Sequence, residues 1–518
     1  MSYLETNAHL YDRAQYSVMN GPWTLDYEKS IDSNINLTID KTSIASFISF
    51  SQILKNRTLF KEIKRLEWMS EPMNGGVSKN LLIPTHGFKT AEVGFLSKLL
   101  FEKLCDEART VIQSNPNIYI LLTGGLDSRI IAGVFSYLYN NGEIKQKPKC
   151  VTWGLEDSRD VFYAKKMAEA LNFEWQHIPL GPEDVMNNIK KCGKYLGLLH
   201  SPEMLHSMLW FKNIPSDAMV IAASFGDSIG RGEFSNKHLL YLNHKQPKNT
   251  YGLLTSNTYA IESKNLKEDL KYLYERGNNT EKYVQCEYWM QGSRMRNTLC
   301  HSLSVINRYA NIYQMFTAPE VFSFIWSIHP SIRGNEIYTY LLKNYFPKLA
   351  EVPWARNNKA IKGSYKEQKL KPHYHEYTKW SSEVLYKDIK ELIDPDWFAS
   401  KQIFNPYSIK EMNALVLKSK ERVGRLNDIW LWLAGFRYYI DELESEGKII
   451  DFKLSTENKL KHVPNNKKFN LKEEAILLAS KSISLNNNLK KIREKYRELD
   501  TNKKKREALK KYPPVPYA

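Results

Sequence analysis

The sequence predicts an α/β fold, a doubly wound parallel sheet with helical additions on its C-terminal side, and three observations carry that prediction. Residues 118–135 run as an apolar strand into a glycine turn and then an amphipathic helix. Strand-like and helix-like stretches then alternate as far as residue 224, the pattern of a parallel sheet with helices on both faces. A further fully apolar strand, 218–224, ends in another glycine-containing loop, Phe225-Gly226-Asp227-Ser228-Ile229-Gly230-Arg231-Gly232.

Each element follows from its residues. The first strand, Ile-Tyr-Ile-Leu-Leu, is apolar throughout, as a strand buried on both faces should be. Residues 148–154 read as the second strand. Residues 160–172 read as a helix, with Ala164, Met167, Ala168 and Leu171 along one face. A third strand spans 175–180. From about Tyr283 the pattern becomes mainly helical, through 321–326 and 338–345, to a break at Pro353-Trp354-Ala355-Arg356. A Trp- and Leu-rich helix is expected around 429–439, and a charged helix over 489–511 that stops at Pro513-Pro514. The domain reading is 1–95, 96–385, a helical extension over 386–455 and a basic helical tail over 456–518.

Composition excludes several classes. The chain has 518 residues, 42% of them hydrophobic and 12% aromatic, which argues for a large folded core and against long disorder. No window offers the roughly 18 consecutive apolar residues of a membrane span, and the first residues look like neither a signal nor a transit peptide. A cytoplasmic location is expected. The five cysteines, Cys105, Cys150, Cys192, Cys286 and Cys300, form no Cys-x-x-Cys pair, so neither a disulfide framework nor a zinc cluster is suggested. The net charge is +17, but residues 455–518 hold 17 Lys and Arg against 7 Asp and Glu and so carry +10 of it. That tail, with Lys503-Lys504-Lys505-Arg506, reads either as a solvated helix or as a contact for nucleic acid or an anionic membrane.

The turn Thr123-Gly124-Gly125-Leu126-Asp127-Ser128, reached through Leu122, has the chemistry of a pyrophosphate site. Adjacent glycines let the backbone approach an anion, two hydroxyls add donors, and the following helix presents uncapped N–H groups. Asp127 does not suit plain anion binding, because a carboxylate repels polyphosphate unless a cation lies between them. It reads as a Mg²⁺ ligand. The turn has neither the Gly-Lys-Ser/Thr ending of a Walker loop nor a Gly-x-Gly-x-x-Gly fingerprint. It looks like the loop of ATP pyrophosphatases, which split ATP between the α and β phosphates.

The chain resembles the synthetase domain of the asparagine synthase family over about residues 40–360, in five ordered pieces. They are Thr58 to Leu66, the pyrophosphate loop, Val151-Thr152-Trp153-Gly154 with Asp160 and Ala164, Ala222 to Gly232, and Phe346-Pro347 to Lys359. The resemblance implies an adenine-nucleotide α-hydrolase type of sheet, adenine read by the strand at Trp153, and a second metal-binding loop at Gly226 and Asp227. It also implies a lysine near the phosphates at Lys359, for which a surface lysine in a basic loop with Lys362 is the competing reading.

Departures from the family pattern bear on the substrate. Ser2 stands where the family's glutaminase has its cysteine, so residues 1–95 read as a shortened, non-catalytic remnant and the nitrogen donor as ammonia or an amine. Both glutamates of the family's second loop become serines, Ser224 and Ser228.

The implied activity is an ATP-dependent, amide-forming ligase that adenylates a carboxylate, with ATP and Mg²⁺ as cofactors and Asp127, Asp227 and Lys359 as catalytic residues. Its acceptor is a small-molecule, glycan or peptide carboxylate, the last as in lasso-peptide cyclases. The alternative is an ATP pyrophosphatase that modifies a tRNA base. Arg129 reads equally as a phosphate contact or as cover for the helix start. His200 and Glu203 read as residues at the acceptor's entry or as packing. His373, His375 and Glu376 read as an exposed loop rather than a metal cluster.

Overall fold

The computed structural model describes residues 15–453 apart from 19–20, 32–34, 82, 85, 88, 233–243, 277–280, 366–367 and 420–422, together with 507, 510, 515 and 516. Its centre is a sheet of five strands: β1 (Ile118–Leu121), β2 (Lys149–Gly154), β3 (Glu174–Pro179), β4 (Met219–Ala222) and β5 (Asn311–Gln314). Their spatial order is β3-β2-β1-β4-β5, and every neighbouring pair is parallel. All four residues of β1 and of β4 are buried, which is why both read as unbroken apolar runs. β3 lies at an edge and alternates exposed and covered residues.

Four helices precede, link or follow these strands in sequence: α1 (Val93–Ser114), α2 (Asp127–Asn140), α3 (Arg159–Leu171) and α4 (Pro182–Leu196), of which α2 and α3 pack on strands. Their ends are set by local chemistry. The Ser158 hydroxyl accepts the Val161 N–H at the start of α3, and Asn172 closes that helix in the left-handed conformation. Pro182 opens α4, and the Asp184 carboxylate accepts the Gly181 N–H at 2.8 Å.

The strand order fixes where a ligand can sit. From β1 the chain moves outward through β2 to β3, then crosses to the other side of β1 to form β4. The order therefore reverses between β1 and β4, and the loops leaving those two strands diverge around one crevice at the carboxyl edge.

The region after Tyr283 is mainly helical, as expected, and β5 is a strand that this expectation did not include. Helices Lys282–Trp289, Pro319–Ser327 (α5) and Asn335–Tyr345 (α6) do form, and the chain between the first two includes a wide π-helical stretch, Met290–Cys300. The strand Asn-Ile-Tyr-Gln is four residues long and has no turn glycine on either side. Periodicity cannot separate so short a run from a helix. Its registry with β4 decides it.

A short helix α7 (Pro347–Glu351) follows α6, and the expected Trp- and Leu-rich helix is α8 (Leu426–Ser445). Trp432 of α8 stacks on Phe47 of the N-terminal helix Lys41–Phe50 at 4.4 Å and 12°. Buried hydrophobic residues form one continuous core from Tyr16 to Phe452. Among the described residues no helix is long and apolar enough to cross a membrane. The charged helix expected over 489–511 lies outside the described residues except for Glu507 and Lys510. Further on, Val515–Pro516 pairs in parallel with Lys89–Thr90.

Candidate active site

The turn after β1 is braced from within. The Ser128 hydroxyl accepts the Thr123 N–H at 3.1 Å and lies 3.2 Å from the Thr123 hydroxyl, which in turn accepts the Gly125 N–H. The two hydroxyls hold the loop's shape. Helix α2 starts at Asp127, and Leu126 before it supplies no side-chain cap. Its first-turn N–H groups have no intrahelical acceptor, so they give the crevice its anion-binding potential.

Gly124 needs its lack of a side chain. A Cβ there would come within 2.6 Å of the Ala355 Cβ and 3.1 Å of the Asp160 Cα. Asp160 lies beneath the loop and accepts the Gly124 N–H. Burial pushes its carboxyl up to about 6, against the pull of that hydrogen bond.

The loop after β4 meets this one directly. A Cβ on Gly226 would fall 2.6 Å from the Asp127 Cβ, so the two loops touch at that pair. The Gly226 carbonyl accepts the Tyr338 hydroxyl at 3.1 Å, and Gly230 leaves space for the same hydroxyl. Asp127 and Asp227 both raise the Tyr338 phenol, after the larger effect of its burial, so the two carboxylates share one electrostatic neighbourhood.

Sequence reasoning left Arg231 without a role. Its Nε donates to Asp127 Oδ1 at 2.9 Å, its Nη2 to Asp127 Oδ2 at 3.0 Å and its Nη1 to Asn335 Oδ1 at 3.0 Å. The guanidinium lies 6.0 Å from the Tyr338 ring centre and 5.7 Å from that of Trp354. A signal was present: an arginine between two glycines, four residues after Asp227, at the end of an apolar strand's loop. Asn335, Tyr338 and Trp354 come from distant sequence and gave none.

Arg129 is fully buried and, among the described residues, forms no ion pair with a carboxylate. It donates to the carbonyls of Gly124 and Gly125 in the loop and to those of Leu349, Val352 and Pro353. Burial lowers its pKa to about 9, so it stays charged at neutral pH. It therefore clamps the loop to the 349–353 segment, which replaces both sequence readings of the residue. The chain continues from that segment into a tight turn. There the Trp354 N–H donates to the Lys359 carbonyl at 2.9 Å and the Ala355 N–H donates to the Gly124 carbonyl at 3.0 Å. Lys359 thus belongs to a turn docked on the pyrophosphate loop, with its side chain exposed.

Trp153 lies one strand away from the crevice, at the end of β2. It is half-buried and stacks on His206 at 6.0 Å, and His206 stacks in turn on Tyr377 and hydrogen-bonds its hydroxyl at 2.6 Å. Burial lowers the His206 imidazole to about 3, so it is neutral. The segment holding His373, His375 and Glu376 is less free than an exposed loop. It crosses the end of β2, where the Leu155 N–H donates to the Tyr374 carbonyl and the Arg159 N–H to the Lys371 carbonyl. His200 is buried, with Nδ1 2.9 Å from the Ser201 carbonyl oxygen, and Glu203 is buried and accepts from Asn427 at 2.8 Å. Among the described residues, Cys105, Cys150, Cys192 and Cys286 are buried and free.

A magnesium ion suits this chemistry only in part. Two carboxylates on touching loops, completed by phosphate oxygens, are the hard donors Mg²⁺ takes. Yet both oxygens of Asp127 already hold Arg231, so metal and guanidinium compete for one acceptor. Among the described residues no group of three or more His, Cys, Asp or Glu is placed to hold a metal by itself.

Residues 102–221 match the asparagine synthase family, whose members use ATP and are of ligase type, and the sheet agrees with the ATP pyrophosphatase kind of fold. The matched span contains the whole turn Thr123 to Ser128, Trp153 and Asp160. It stops one residue before the end of β4, so Gly226, Asp227, Arg231 and Lys359 lie beyond it. No curated protein matches the chain.

Proposed function

We propose that the chain is an AMP-forming carbon–nitrogen ligase: it adenylates a substrate carboxylate with ATP and passes the acyl group to ammonia or a primary amine. A carboxylate is a poor electrophile because its leaving group would be hydroxide. Attack of the carboxylate oxygen on the α-phosphorus forms an acyl adenylate and breaks the bond to the β-phosphate, releasing pyrophosphate. The amine then attacks the acyl carbon, AMP leaves with the electron pair of the broken bond, and the amine loses a proton.

In this reading the uncapped N–H groups at the start of α2 receive the departing pyrophosphate, and the loop's internal bracing keeps them aimed before ATP arrives. Lys359 and Arg356, on the turn docked over Gly124, supply positive charge from above. Asp127 and Asp227 are the residues that would hold Mg²⁺, which when bound neutralises charge on the polyphosphate. Trp153 and the strand end beside it would border the base. The observation that carries the reading is the contact of Gly226 with Asp127, which joins two glycine loops at the reversal point of a parallel sheet.

Product analysis tests it. Purified protein with ATP, Mg²⁺, ammonium and a panel of sugar, amino and peptide carboxylates should yield AMP and pyrophosphate in equal amounts with the accepted substrate. Coupled formation of ADP and phosphate would overturn the reading.

A further inference from the structure

Arg231 is built into the site rather than laid over it. It is 7% exposed, it takes both oxygens of Asp127 in a bidentate pair, it donates a third hydrogen bond to Asn335, and the Tyr338 and Trp354 rings lie 6.0 and 5.7 Å from it. Asp127 is the first residue of α2, whose N-terminal N–H groups are the anion seat. Two acidic side chains at that seat would repel a polyphosphate. Arg231 cancels one of them, and its three hydrogen bonds to Asp127 and Asn335 use three of its five N–H groups.

We propose that Arg231 is the resident cation of this site: it holds Asp127 in the nucleotide-free protein and transfers to the polyphosphate of ATP, freeing the Asp127 carboxylate for a divalent metal. The inference rests on the nucleotide reading above. The glycines on either side show what moves. A Cβ on Gly230 would meet the Tyr338 hydroxyl at 1.9 Å, and one on Gly232, itself at φ +56°, would meet the Arg333 Cβ at 2.8 Å. The backbone is packed at both flanks, so the transfer is a rotation of the arginine side chain and not an opening of the loop. Metal and arginine are then rivals for Asp127 before ATP binds and partners on the polyphosphate afterwards.

Two binding measurements on the full-length chain, without turnover, test this. Mn²⁺ is titrated by electron paramagnetic resonance in the absence of nucleotide, and ATP is titrated by calorimetry in EDTA and in Mg²⁺. Arg231→Met should bind Mn²⁺ at least about 10-fold more tightly than wild type and should bind ATP in EDTA at least about 10-fold more weakly, the scale of one charge-assisted contact. Arg231→Lys keeps the charge but loses the bidentate fork, so it should fall between the two on both measures. It carries the test if the methionine variant does not fold. Unchanged Mn²⁺ and ATP affinities in a folded variant overturn this inference alone. Wild-type protein that binds ATP in neither buffer overturns the nucleotide reading and this inference with it.

Discussion

Single residues in the crevice are tuned by what covers them. Asp160 is the clearest case, because its carboxyl sits under the pyrophosphate loop and is pushed from an ordinary 3.8 to about 6. The folded protein therefore binds this proton more tightly than the unfolded chain does. Its protonation contributes stability that is fully present below about pH 4 and is lost as pH rises through 6. Above that, burying the charge is a standing cost that the Gly124 N–H only partly offsets. Asp160→Asn keeps an oxygen for that N–H and removes the charge. We expect the variant to be the more thermally stable at pH 7.5, with the difference from wild type shrinking as the pH is lowered from 6 toward 4. Melting curves at three pH values check this, and a pH-independent difference would show that burial does not control the group.

At the scale of elements, the site is held together by contacts between segments far apart in sequence, and Arg129 is the chief of them. Its guanidinium ties α2 and the pyrophosphate loop, through the Gly124 and Gly125 carbonyls, to the 349–353 segment that leads into the turn carrying Lys359, through those of Leu349, Val352 and Pro353. Arg129→Lys offers three donors from one point and cannot span that set; the Gly124 carbonyl keeps the Ala355 N–H, so at least one buried acceptor goes unmet. A loss of at least about 1–3 kcal/mol of stability is expected from one unsatisfied acceptor, read by urea denaturation. If instead stability holds and only ATP affinity falls, the side chain serves the nucleotide. The same distance in sequence explains what could be read beforehand and what could not. Strands β1 to β4 and the glycine turn were legible because each is a contiguous pattern: four apolar residues, two glycines, a helix start. The surroundings of Asp127 were not, since Arg231 reaches it, and Asn335 and Tyr338 reach Arg231 and Gly226, only after β4 and α6 have packed. Arg129 was misread because a buried arginine that serves carbonyls has no pattern in its own neighbourhood. β5 was missed because its strand character comes from β4.

For the whole molecule, charge is spread unevenly along the sequence. Among the described residues the continuous core runs from Tyr16 to Phe452, and residues 455–518 carry +10 of the net charge of +17. The contact described between the far end and the rest is the two-residue pairing of Val515–Pro516 with Lys89–Thr90, and Val515 remains 52% exposed there. So small a ladder buries too little apolar surface to stabilise the sheet, and Lys89 keeps its other bonds, since its carbonyl accepts the His329 N–H at 2.8 Å. Charge in solvent is screened within about 8–10 Å at physiological ionic strength, and a segment of this polar, basic composition is expected to act there. Removing the residues after Leu489 should therefore leave substrate-dependent ATP–pyrophosphate exchange within about two-fold of the full chain, a margin under 0.5 kcal/mol. The same truncation should weaken any binding to RNA or anionic vesicles that falls with added salt. Exchange assays paired with binding at 50 and 300 mM salt separate the two effects. A truncated protein that is folded and soluble yet inactive in exchange would place the tail in the catalytic crevice and refute this division of labour.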